Sequence, residues 1–219
     1  MNESQARDEI CRIGRSLFER GYVHGSAGNI SLRLPDGFLI TPTDACLGFL
    51  DPARLARLDG DGRQLGGDQA SKTLALHTAI YTAARRPDPA TACVIHTHSR
   101  HCVALGLQAQ GTELLPALTP YFVMKVGHVP LLPYTRPGSP AAVQAVVQAI
   151  EDAAAAGRPI RAVMLARLGP NVWHASPAAA MALLEELEET AQLALLAPDT
   201  PALTEPQIDE LRRSFGARW

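Results

Sequence analysis

Ala92-Cys93-Val94-Ile95-His96-Thr97-His98-Ser99 is a short apolar run that ends in two histidines separated by one residue. Cys93, Val94 and Ile95 suit a buried strand, in which successive side chains point to opposite faces. His96 and His98 are therefore expected on one face with adjacent imidazoles, which is half of a metal site. Zinc and its relatives take at least three protein ligands, so the other half must come from elsewhere. The alternative for the pair is a hydrogen-bonded couple that holds no metal.

The flanks of this run predict helices packed around strands. Upstream, Leu76, Ile80 and Ala83 or Ala84 share the buried side of a helix from Lys72 to about Arg86, with Ser71 as its cap. Downstream, a helix is expected from Arg100 to Leu107. Nearer the N-terminus, Ile10, Ile13, Leu17 and Phe18 fall at helical spacing over about residues 4 to 20, with Gly21 as the stop. Ile30, Leu32 and Leu34 alternate, and Pro35-Asp-Gly37 turns the chain into Phe38-Leu-Ile-Thr41, which predicts a β-hairpin. Asp51-Pro52 can cap and open a short helix. Further on, Val129-Pro-Leu-Leu-Pro-Tyr134 reads as a proline-limited edge strand and Pro140 to Ala155 as an alanine-rich helix. A strand from Arg161 to Ala166, a long helix from Pro177 to Leu196 and a short one from Glu205 to Arg213 complete the series.

With 219 residues the chain can bury one good-sized core, so a single domain over 1–219 is expected. A net charge of −2 without a basic stripe argues against a nucleic-acid partner. No apolar run approaches the roughly 18 residues of a membrane span, and Met1 to Asp8 has no apolar core of a leader, so a cytoplasmic protein is expected. Cys11, Cys46, Cys93 and Cys102 show no paired spacing, as suits reduced thiols.

Seven segments then carry a resemblance in collinear order: Gly25-Ser-Ala-Gly28-Asn29-Ile-Ser31, Thr41-Pro-Thr43, Ser71-Lys72 with His77, His96-Thr-His98, Leu115-Pro-Ala-Leu-Thr-Pro-Tyr121, Gly169-Pro170 and Glu185-Glu-Leu-Glu188. The chain resembles the class II aldolase/adducin family from Gly25 to about Leu196. Thr119 to Met124 and Pro130 to Gly138 are most similar to the branch that decarboxylates phosphorylated 3-oxo sugar acids. The resemblance implies a three-layer α/β/α sandwich with a mixed, largely antiparallel central sheet. It implies a divalent ion, usually zinc, that stabilises an enediolate. It also implies a small-molecule substrate and a homo-oligomer, usually a tetramer.

Carried over residue by residue, the resemblance makes His96 and His98 metal ligands. Gly28, Asn29, Thr43, Ser71 and Lys72 line the phosphate pocket, and Tyr121 matches a tyrosine that delivers a proton. Three positions depart from the pattern. The glutamate expected after Ser71-Lys72 is Thr73, which has no useful pKa for general-base work. The third metal histidine, expected before Gly169-Pro170, is Leu168, which has no donor atom. The glycine after Thr41-Pro-Thr43 is Asp44, whose charge opposes a phosphate beside it. Candidate substitutes for the missing ligand are His174 and His101, the latter also readable as a locally bonded helix-start residue. His77 has a structural role in this pattern, His24 and His128 are read as loop residues, and Glu185 to Glu189 as a solvated helix face, or an interface face if the family's oligomer is kept.

Two functional classes follow. One is a metal-dependent lyase that cleaves a carbon–carbon bond in a small, phosphorylated sugar acid or ketose. The other is a catalytically reduced member that keeps the fold as a binding or interaction module.

Overall fold

The computed structural model describes residues 1–108 and 111–219. It resolves into two compact units. The first comprises Met1–His98 and Trp173–Met181; the second comprises Ser99–Val172 and Ala182–Trp219.

In the first unit, helix α1 (Glu3–Glu19) opens with a reciprocal cap: Asn2 accepts the Gln5 N–H and the Gln5 side chain accepts the Asn2 N–H. Its buried stripe is Ala6, Ile10, Ile13 and Leu17, the spacing expected from the sequence. The predicted hairpin forms as β1 (Asn29–Leu34) and β2 (Gly37–Ile40). Gly37, with φ 153°, is obligatory there, because a Cβ would lie 2.0 Å from the Leu58 carbonyl. Two strands follow that the sequence reading lacks, β3 (Ala56–Asp59) and β4 (Gln64–Gly66). Between β2 and β3, Asp51 accepts the Ala53 N–H and opens the short 3-10 turn Pro52–Arg54, as predicted.

Helix α2 (Leu74–Ala84) starts two residues later than predicted, and Ser71 is not its cap. A turn closed by Leu74 N–H on the Ser71 carbonyl precedes the helix, and the Ser71 hydroxyl accepts the Thr73 N–H instead. Strand β5 (Cys93–His96) pairs antiparallel with β1, placing Asn29 opposite His96 and Ile30 opposite Ile95. Five strands of this unit lie in the order β4-β3-β2-β1-β5. His174 and the wholly buried Trp173 also belong here, and the Ala92 N–H donates to the His174 carbonyl at 2.9 Å.

The second unit contains α3 (Arg100–Gln108), a π-helical turn Phe122–Val126, β6 (Leu131–Leu132), α4 (Pro140–Ala155) and β7 (Ala162–Leu165). Most of β8 (Gly169–His174), α5 (Pro177–Leu196) from Ala182 onward and α6 (Glu205–Phe215) complete it. Strand β7 pairs antiparallel with β8 and parallel with β6. Strand β6 is shorter than predicted, since Pro130 and Pro133 bracket it and supply no ladder N–H. The chain is thus mixed α/β with largely antiparallel pairing.

Glu188 corrects the expectation of a wholly solvated acidic run. It is 3% exposed, and its carboxylate accepts the backbone N–H groups of His101 and Cys102 at 2.9 and 3.0 Å. The His101 Nδ1 lies 2.9 Å from the same carboxylate. These N–H groups open α3 and have no partner within the helix, so a buried anion from α5 satisfies them. Glu188→Ala, which strands these donors, is expected to lower stability by about 2–3 kcal/mol in urea unfolding. Glu188→Gln, which keeps an acceptor, should lose less.

Candidate active site

Most residues singled out in the sequence lie in the first unit. The loop after α1 reaches β1 through Gly28, where φ is 85° and a Cβ would lie 2.9 Å from the His96 carbonyl and 2.8 Å from Val23. Only glycine permits that approach. Asn29 follows, opposite His96 in the β1–β5 register, with its Oδ1 buried and without a protein partner. An orphaned buried acceptor costs about 1–3 kcal/mol unless a ligand or water meets it.

A second set of contacts adds the remaining polar residues. The Ile30 N–H donates to the Thr41 hydroxyl at 3.2 Å, and the Ser71 N–H to the Thr41 carbonyl at 3.2 Å. The Thr43 N–H donates to the Gln69 carbonyl, and Pro42 bridges Ala70. Thr43, Ser71, Lys72 and Thr73 thus lie on segments joined to the start of β1, where Asn29 faces the end of β5. Ser71 and Thr73 share a hydroxyl–hydroxyl bond of 2.9 Å.

Asp44 takes the left-handed conformation, φ 56°, and its carboxylate stands 3.4 Å from the Lys72 ammonium. The Lys72 charge is thus shared with a carboxylate. A neighbouring cavity of about 450 Å³ is lined by Thr43, Asp44, Asp51, Arg54 and Asp68 among others. Its one guanidinium, Arg54, is paired with Asp68 at 2.6 Å, so three carboxylates make this cavity unsuited to an anion.

The histidine pair is close, but not for the reason expected. Strand β5 ends at His96, so His98 lies beyond the strand, and the same-face argument does not apply. Their ring centroids are nevertheless 5.0 Å apart at 68°. The His24 ring stands 6.4 Å from that of His98. Burial holds the His98 pKa below its usual value, and the charge of His24 lowers it further.

Beneath them, Ser31 (β1) lies 2.7 Å from His77 Nδ1 and 2.8 Å from the Tyr81 hydroxyl, while Tyr81 donates to the Ala92 carbonyl at 3.1 Å. Proton counting fixes the order. Tyr81 spends its proton on a carbonyl that can only accept, so Ser31 donates to Tyr81, and the Ser31 oxygen accepts from His77 Nδ1–H. His77 Nε2 is therefore unprotonated, buried and without a partner. Burial, reinforced by His96, lowers the His77 pKa to about 3.

The ligand set implied by the resemblance does not fit. Leu168 and Thr73 offer no imidazole or carboxylate. Among the described residues no three His, Cys, Asp or Glu side chains group to hold a metal ion. Neither candidate substitute supplies the donor: His174 Nδ1 accepts the Ala175 N–H at 2.7 Å, and His101 is engaged by Glu188. Tyr121 lies in the second unit, 62% exposed, immediately before the π-helical turn. The His24 ring beside His98 is a contact the sequence did not announce.

The profile of the Class II Aldolase and Adducin N-terminal domain matches residues 8–195. The chain belongs to this family. It is 53% identical to a 3-oxo-tetronate 4-phosphate decarboxylase of Cupriavidus necator over 99% of both chains. It is 43% identical to an Escherichia coli K12 protein of the same name over 96% of both. The crystal structure of Escherichia coli YgbL superposes with a TM-score of 0.84 at 42% identity, covering 96% of this chain and 99% of YgbL. An L-fuculose 1-phosphate aldolase shares the fold, with a TM-score of 0.81 at 20% identity, covering 99% of this chain and 98% of the aldolase.

Two outcomes follow for this class II aldolase-family chain. Because His77 is depressed below its unfolded value near 6.5, its contribution is complete above that pH and is lost as pH falls toward 3, by up to about 1.4 kcal/mol per unit. His77→Asn should flatten the pH dependence of urea unfolding between pH 6.5 and 4; an unchanged slope would place the effect elsewhere. Asp44→Asn removes the charge that occupies Lys72 and should tighten inorganic phosphate binding by about 3- to 10-fold in low-salt calorimetry.

Proposed function

We propose that this chain is a carbon–carbon lyase of the decarboxylase branch, acting on a 3-oxo-tetronate 4-phosphate. The observation that carries the reading is the 53% identity to a decarboxylase of that name along 99% of both chains. Such a substrate is a β-keto acid. Loss of carbon dioxide sends the C1–C2 electron pair toward the C3 carbonyl, and a proton returned to C2 gives dihydroxyacetone phosphate.

This chemistry suits the side chains present better than aldol cleavage does. Cleaving an aldol needs a base to remove a hydroxyl proton, and Thr73 cannot serve. Decarboxylation makes its carbanion without a base and needs only proton return. In this reading Asn29, Thr43, Ser71 and Lys72 take the phosphate, with the Asn29 Oδ1 open to a donor of the ligand, and Tyr121 supplies the proton. Class II aldolases generally use a divalent metal. Zinc, a homotetramer and a cytoplasmic setting belong to the proposal.

A second reading, a member that binds the sugar phosphate without turning it over, is favoured by the absent carboxylate at Thr73 and the absent donor at Leu168. Incubation of purified protein with each C2 enantiomer of 3-oxo-tetronate 4-phosphate separates the two. Stoichiometric carbon dioxide and dihydroxyacetone phosphate are expected, with a drop of about 100-fold in kcat for Tyr121→Phe. Saturable binding without either product would establish the second reading.

A further inference from the structure

We propose that the cavity bounded by α2, Arg33 of β1 and the β3–β4 turn is a second ligand site, one that takes a small organic anion carrying hydroxyl groups. The cavity measures about 500 Å³ and is lined by residues of the first unit. That volume lies within the range of about 300–1,000 Å³ typical of small-molecule sites. None of the residues assigned to the substrate phosphate lines it, so the inference goes beyond the lyase reading and does not rest on it.

Charge selects the first part of the ligand. Arg33 and Arg85 both line the cavity, and among the described residues neither guanidinium has a carboxylate partner. The cavity beside Thr43 differs, since its guanidinium, Arg54, is tied to Asp68. Arg33 and Arg85 are nonetheless oriented. The Arg33 Cζ stands 5.6 Å from the centroid of the Phe38 ring, and Arg85 donates one N–H to the Thr91 carbonyl at 3.1 Å. A guanidinium carries five N–H groups in a rigid fork, so both side chains keep donors for the oxygens of a carboxylate or phosphate. The lining holds one carboxylate against them, that of Asp61.

Proton counting supplies the rest of the ligand. The Thr78 hydroxyl donates to the carbonyls of Leu74 and Ala75 at 3.1 and 3.0 Å, and the Thr82 hydroxyl to the Thr78 carbonyl at 2.9 Å. Both protons are spent within α2, and the two oxygens offer the cavity acceptor lone pairs alone. The Asp61 carboxylate is likewise an acceptor. A bare anion has nothing for these groups, whereas hydroxyls on the same molecule supply the matching donors. The stacked rings of Phe38 and Tyr81, 5.5 Å apart at 22°, give its carbon skeleton an apolar wall.

Sugar phosphates and hydroxy acids share this chemistry, and low-salt calorimetry of the full-length chain with glycerol 3-phosphate, glycerate, inorganic phosphate and glycerol tells them apart. Glycerol 3-phosphate or glycerate is expected to bind at least about 10-fold more tightly than inorganic phosphate or glycerol, and the tighter of the two names the class. Arg33→Ala and Arg85→Ala should each weaken that binding by about 10-fold with unchanged far-ultraviolet circular dichroism, and Arg33→Lys by about 3-fold. Thr78→Val combined with Thr82→Val should weaken it by about 3-fold and leave inorganic phosphate within about twofold. Lys72→Ala, which removes the cation of the candidate active site, should leave it within about twofold. No saturable binding, wild-type affinity in both arginine-to-alanine variants, or inorganic phosphate bound as tightly as the hydroxylated probes would overturn the inference. Binding lost in Lys72→Ala and kept in the arginine variants would place the probe in the candidate active site and overturn it equally.

Discussion

The hydrogen-bonded row His77–Ser31–Tyr81–Ala92 is the constraint on which the first unit depends. It joins α2 to β1 and to the residue that leads into β5, with Ser31 and Tyr81 at 1% exposure and His77 at zero. In so dry a setting each proton has one direction, and reversing any one leaves a donor facing a donor. The residues with chemistry hang from its ends. Thr73 precedes the helix that carries His77, Asn29 stands two residues before Ser31, and His96 ends the strand paired to both. A shift of α2 would therefore move Ser71, Lys72 and Thr73 together.

Where side-chain pattern and backbone chemistry agree, the elements were readable. Pro140 and Pro177 begin the helices they were expected to begin, and the α1 stripe is buried as spaced. Strand β4 was not readable, because Gln64, Leu65 and Gly66 are all exposed and show no apolar face. The π-helical turn Phe122–Val126 has no periodicity to announce it. Glu188 misled for a different reason: a run of carboxylates reads as solvated, and only the tertiary structure shows that one of them meets the N–H groups at the start of α3. His98 arrived beside His96 by a route the alternation rule does not describe.

The site divides along the same line. Gly28, Asn29, Thr41 and Ser71 are held by close backbone contacts, whereas Thr73 and Leu168 carry no carboxylate or imidazole where the resemblance implies one. Asp44 belongs to both sets, since it takes a left-handed conformation natural to glycine and adds a charge. Folding and catalysis place separate demands on these positions, so a chain can satisfy the first in full while the second is rearranged.

The first unit borrows Trp173–Met181 from late in the sequence, and Trp173 is almost wholly buried. On the ribosome, the strands and α2 up to His98 emerge well before that segment exists. At elongation rates of about 5–20 residues per second, the delay is roughly 4–15 s. Through that interval the Ala92 N–H lacks its His174 acceptor. The first unit therefore cannot reach its final hydrogen-bonded form before residue 174 has been synthesised.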